Sequence, residues 1–113
     1  MISEQPNSEP LDLLSNPSFR GCVFAKGEGS LSNWLLIISH VTSEDYGLCV
    51  HRLLSYDTKR ETFGIISASP MRWGIATEFT FYIATDEQKK FMRDYLTKLG
   101  LKYSRVLNKL IQR

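Results

Sequence analysis

The sequence predicts an α+β fold: an antiparallel five-stranded β-meander closed by a C-terminal amphipathic helix, continuous or broken near Gly100. Three observations carry it. Apolar residues recur with period two in several segments between residues 21 and 84, separated by short turn-forming runs. From Thr85 onward the period lengthens to that of a helix. A chain of 113 residues supports one hydrophobic core but is too short for two ordinary domains.

Residues 1–18 are rich in Pro, Ser, Asn and Glu and show no sustained period, so they are expected to form a disordered acidic tail ahead of a single domain over 19–113. Within the tail, Leu11-Asp12-Leu13-Leu14 is either a docking motif for another protein or a turn that folds onto the domain. Gly21–Lys26 reads as the first strand, ended by Gly27-Glu28-Gly29-Ser30. Asn33–Val41 is apolar on both faces, the pattern of a central strand covered on two sides. Thr42–Asp45 is the expected reversal into a third strand over Gly47–Tyr56. A turn at Asp57–Arg60 leads into a fourth over Thr62–Ser67, ended by Ser69-Pro70. The fifth, Arg72–Ala84, places Trp73, Ile75, Phe79, Phe81 and Ile83 on one face and Glu78, Thr80 and Tyr82 on the other. Short turns make the meander antiparallel, because parallel neighbours need long crossovers.

Thr85 followed by Asp86, Glu87 and Gln88 is a capping box, with the two acids at the positive end of the helix dipole. Gly100 separates two architectures. As a stop it gives two short helices, or a helix followed by a strand beginning at Leu101. Read through, Met92, Leu96, Leu99, Tyr103, Val106 and Leu110 form a heptad seam. Such a helix would be about 40 Å long. It would overhang five strands spanning about 24 Å, and the overhang is where a homodimer through the C-terminal helix is expected.

Composition bounds the function. Apolar residues at 42% and charged residues at 23% exclude wholesale disorder. Two cysteines, Cys22 and Cys49, are too few for a disulfide scaffold, and the N-terminus reads as no signal peptide, so a reducing cytoplasm is expected. The longest apolar run, Trp34–Ile38, is far short of a membrane span. Charge is unevenly placed. Residues 1–18 hold three acidic side chains and no basic one, whereas residues 85–113 hold eight basic against three acidic.

That basic end is the strongest functional signal. Lys89, Lys90, Arg93, Lys98, Lys102, Arg105 and Lys109 are the candidate binding residues. They suit an acidic protein partner or the phosphates of a nucleic acid, whose bases could stack on Trp34, Tyr46 and Tyr82. Arg113 extends the same run. A solvated helix face is the plainer account of the same charges. His40, Cys49 and His51 come together on one side of a hairpin if the turn pairs Val41 with Tyr46. Such a trio offers weak candidate metal ligands, or a nucleophile with its base, but the paired-Cys spacing of zinc sites is absent. A buried cysteine beside two half-exposed histidines is the simpler account. No cofactor motif is present; Gly27-Glu28-Gly29-Ser30 lacks the Gly-Lys-Ser/Thr and following helix of a phosphate loop. The expectation is a small non-enzymatic binding or regulatory module contacting another macromolecule, a protein in the first instance. The alternatives are a single-stranded nucleic-acid binder and a small enzyme or metal site at His40, Cys49 and His51.

Overall fold

The computed structural model describes residues 2–6, 8–44, 47–65, 71–75 and 78–113, with the side chains of 44, 47, 48, 65 and 71–75 outside that description. It is an α+β arrangement. The strands are β1 (Gly21–Gly27), β2 (Trp34–Glu44), β3 (Gly47–Asp57), β4 (Thr62–Ile65), β5 (Met71–Ile75) and β6 (Phe79–Ile83). One helix, α1 (Asp86–Lys98), follows, and then a hairpin of β7 (Leu101–Ser104) and β8 (Lys109–Gln112).

The main sheet has the order β4-β3-β2-β1-β6, with β5 also paired to β3, and each of these pairings is antiparallel. The expected fifth strand over Arg72–Ala84 is therefore two strands on opposite sides of the sheet. Period-two patterning cannot separate one straight strand from two segments in phase, because Phe79 and Phe81 simply continue the alternation begun earlier. Chain connectivity also requires the sheet to bend. Between Ile75 on β3's side and Phe79 on β1's side the chain spans at most about 14 Å. In a flat sheet the four strand spacings between those two positions would by themselves hold them at least about 19 Å apart. Two register shifts put one extra residue into β3 (Leu53) and then one into β2 (Ser39), where added twist bends the strands.

Both faces are covered, as the sequence of β2 requires. One cluster holds Val23, Ala25, Leu36, Ile38, Val41, Val50 and Phe81. The other holds Phe24, Leu35, Ile37, Leu53, Leu54 and Tyr56 together with Met92 and Leu96 of α1. Stacking of Tyr95 on Phe63 (centroids 3.6 Å apart) and an edge contact of Phe91 with Tyr56 (4.8 Å) join the helix to this face. The hairpin packs on the same side through Leu101, Tyr103 and Leu110.

The first cluster is completed from the N-terminal segment, where composition suggested a mobile tail. Leu13 is buried within it, with Leu11 and Phe19 packed alongside. Leu11 N–H donates to the Phe81 carbonyl (2.7 Å), and Pro10 bridges Tyr82. Asp12 closes the turn by accepting from the backbone of Leu14 and Ser15. Hydrogen bonds from Ser15 hold its carboxyl below the ordinary carboxylate value. The turn reading of Leu11–Leu14 thus describes the structure.

The capping box forms as expected. Gln88 N–H donates to Thr85 Oγ1 (3.1 Å), and Thr85 N–H donates to Gln88 Oε1 (2.8 Å). At the other end Gly100 takes φ +72°, a conformation that favours glycine, and the helix stops. The thirteen-residue helix is about 20 Å long, and Leu101–Ser104 pair with Lys109–Gln112. The continuous helix and its heptad seam are overturned. Of the seam residues Met92 and Leu96 are buried, while Val106 is 90% exposed in the turn of the hairpin. With no overhang, the argument for a homodimer through the helix is gone.

Candidate functional site

The sharpest gathering of charge lies where α1, the hairpin and the start of β1 meet. Lys89, Met92, Arg93 and Leu96 are spaced three, one and three apart, which sets them on one stripe of α1. The two apolar members face the sheet, and the two cations stand beside them. The hairpin adds Lys102, Tyr103, Arg105 and Arg113, and the segment entering β1 adds Phe19, Arg20, Gly21 and Cys22. These residues, with Ile37 and Ile83, line a cavity of about 650 Å³.

Its electrostatics are one-sided. Six of the lining residues are basic and none is acidic. All six are exposed, and among the described residues the ion pairs Arg60–Asp57 and Lys90–Asp94 involve none of them. Two of the guanidinium groups are held by backbone. Arg20 Nη1 donates to the Arg105 carbonyl (3.1 Å), and Arg113 Nε donates to the Leu101 carbonyl (3.0 Å). Burial raises the Tyr103 phenol above its ordinary value, with Arg20 and Arg105 pulling the other way. At the floor, burial pushes the Cys22 thiol up to about 12 against the opposing pull of Lys89, so the group is a neutral thiol.

Of the basic residues read from the sequence, Lys89, Arg93, Lys102 and Arg105 meet at this cavity, whereas Lys90, Lys98 and Lys109 are not among its lining. Lys90 is engaged with Asp94 at 2.7 Å, an i, i+4 pair. Sequence reasoning missed Arg20 as a site residue; no local pattern marks it, and only the docked hairpin brings it to Arg105.

Trp34 is half-buried against the first cluster, and Tyr82 against the second, its ring 6.3 Å from that of Phe24. Neither lines the cavity. Tyr46 lies outside the described residues.

The hairpin register places the histidines differently from expectation. His40 pairs with His51 and Thr42 with Cys49, so β2 runs on through the expected turn at Thr42. The imidazoles stack with centroids 4.2 Å apart and planes 8° from parallel. Ser39 Oγ lies 2.9 Å from His40 Nδ1, and Thr42 Oγ1 lies 3.1 Å from His51 Nε2. Cys49 is fully buried. Among the described residues no group of three or more His, Cys, Asp or Glu could hold a metal ion.

Burial and the neighbouring His51 hold His40 below its ordinary value of 6.5. The unfolded chain therefore takes up this proton at a higher pH than the folded one. The stability it represents is full above the ordinary value and is lost as pH falls from there through the lowered one. Urea midpoints at about pH 8 and about pH 5 should differ less for His40→Gln than for the wild type. Equal differences in the two proteins would remove His40 from the acid response.

The chain matches no protein-family model, no curated protein and no solved structure.

Proposed function

We propose that the chain is a non-enzymatic binding module that contacts another macromolecule, a protein carrying an acidic segment, through the basic face shared by α1 and the β7–β8 hairpin. The observation that supports this is the convergence of six exposed basic side chains around one cavity, without an acidic side chain in its lining. Clustered like charges repel one another, and a cleft of a single sign concentrates field and attracts the opposite charge. An acidic protein segment answers that need without the stacking platform that a single nucleic-acid strand uses.

A fluorescent peptide of alternating Glu and Ser should bind, and the affinity should fall as salt rises. Reversing Lys89, Arg93 and Arg105 to glutamate should weaken it at least about tenfold while leaving the fold intact, since exposed charges add little to stability. Reversal of Lys90, Lys98 and Lys109 is the matched control and should do less. Equal losses in the two triple variants would reduce the site to net charge. Tighter binding of a mixed-sequence single-stranded oligonucleotide than of the peptide would move the reading to nucleic acid.

A further inference from the structure

The recess beneath these charges has a chemistry of its own. Its walls are apolar where they are deepest, with Cys22 and Ile37 of adjoining strands on one side and Met92 and Leu96 of α1 on the other. Phe19 and Ile83 border it, and Ile83 is left 44% exposed. An acidic surface partner would satisfy the rim and leave the accessible apolar surface of Phe19 and Ile83 uncovered.

From this combination we infer that the cavity is a binding site for a small organic anion: an oxyanion head group, carboxylate or phosphate, on an apolar body. The head belongs at the rim, where the backbone-held guanidinium groups of Arg20 and Arg113 and the neighbouring Arg105 present planar donors suited to paired oxygens. The body lies over the accessible Phe19, Cys22 and Ile83, above the buried Ile37, Met92 and Leu96. A volume of about 650 Å³ suits a ligand of ordinary cofactor or metabolite size rather than a bare ion. Neither half of the molecule is enough. An inorganic anion would leave the apolar border wet, and a neutral hydrocarbon would leave six cations unanswered. The site goes beyond the surface contact proposed above and stands whether or not an acidic protein binds there.

Cys22 offers a local reporter at about pH 9, where the small ionised fraction of its thiol reacts slowly, because Cys49 is fully buried. Anilinonaphthalene sulfonate, an aromatic body with an oxyanion head, is the probe, and phenyl-naphthylamine is its uncharged counterpart. The sulfonate should titrate to one site per chain, at least about tenfold more tightly than the neutral compound. It should also slow iodoacetamide modification of Cys22, followed by mass spectrometry. The Lys89→Glu, Arg93→Glu, Arg105→Glu variant should lose that preference for the charged probe. Octanoate and octyl phosphate, used as competitors, identify the head group: displacement by either supports the site, and the stronger one names its oxyanion. Inorganic phosphate should displace nothing at the same concentration.

Equal affinity for the charged and neutral probes would overturn the inference. So would unchanged Cys22 modification in saturated protein, or displacement by inorganic phosphate as good as by octyl phosphate. None of these measurements involves the acidic peptide, so the two readings fail separately.

Discussion

Replacing Leu13 by alanine is expected to destabilise the domain by about 2–5 kcal/mol, as for other fully buried leucines. Leu13 is 2% exposed and shares a cluster with Val23, Ala25, Leu36, Ile38, Val41, Val50 and Phe81, contributed by β1, β2, β3 and β6. Removing its branched end leaves a cavity that those strands cannot close by collapse, because they are held in register by their ladders. Leu14, the next residue, is 66% exposed, and its replacement by alanine should stay within about 0.5 kcal/mol. Urea unfolding measures both. A lower midpoint with an unchanged slope for Leu13→Ala, against a wild-type curve for Leu14→Ala, assigns the segment to the core. Matching curves would return residues 10–18 to the mobile tail that composition suggests.

That contrast shows where sequence reading stops. The alternating pair Leu11 and Leu13 is too short to register as a period, yet two residues suffice when a hydrogen bond to Phe81 docks them on a sheet face. Thr85 and Gln88 were legible because a capping box is a local device, complete within four residues. The double-sided burial of Leu35, Leu36, Ile37 and Ile38 was legible for a related reason: apolar residues on both faces need cover on both.

Pairing partners were less legible. The expected strands over Asn33–Val41 and Gly47–Tyr56 overlap β2 and β3. The ladder, however, runs on to Glu44 opposite Gly47 instead of closing at Val41 opposite Tyr46, which brings His40 opposite His51. The two register shifts near Ile38 cancel. Nothing in the alternation says how far a hairpin ladder runs before it closes. Beyond Gly100, Tyr103, Val106 and Leu110 fit a heptad, while the structure uses Tyr103 and Leu110 as partners across a hairpin and leaves Val106 in its turn. The basic charges of the candidate site were therefore readable as a list. Their convergence with Arg20 was not, because it depends on that hairpin.

The hairpin's anchorage carries the second large effect. Asn108 sits in the turn of the hairpin with φ 52°, a backbone conformation that asparagine tolerates and a β-branched residue does not. Its Oδ1 accepts from the Tyr103 hydroxyl (3.1 Å), and its Nδ2 donates to the Ser39 carbonyl (3.0 Å) and hydroxyl (3.1 Å). Ser39 is buried at the β2 bulge, between Ile38 and His40, so the bulge and the turn meet the same side chain. Asn108→Val should add backbone strain of about 1–2 kcal/mol. It should also leave buried polar groups on Ser39 without this partner, at about 1–3 kcal/mol. Together the loss is roughly 2–5 kcal/mol. Asn108→Gly keeps the backbone and loses only the side-chain bonds, so its midpoint should fall between those of the valine variant and the wild type. Lys102, Tyr103, Arg105 and Arg113 reach the cavity from this hairpin. Binding of the aromatic sulfonate should therefore weaken in Asn108→Val by about tenfold or more, although no charge has changed. A valine variant that binds the probe as tightly as the wild type would show that the cavity does not depend on how the hairpin is anchored.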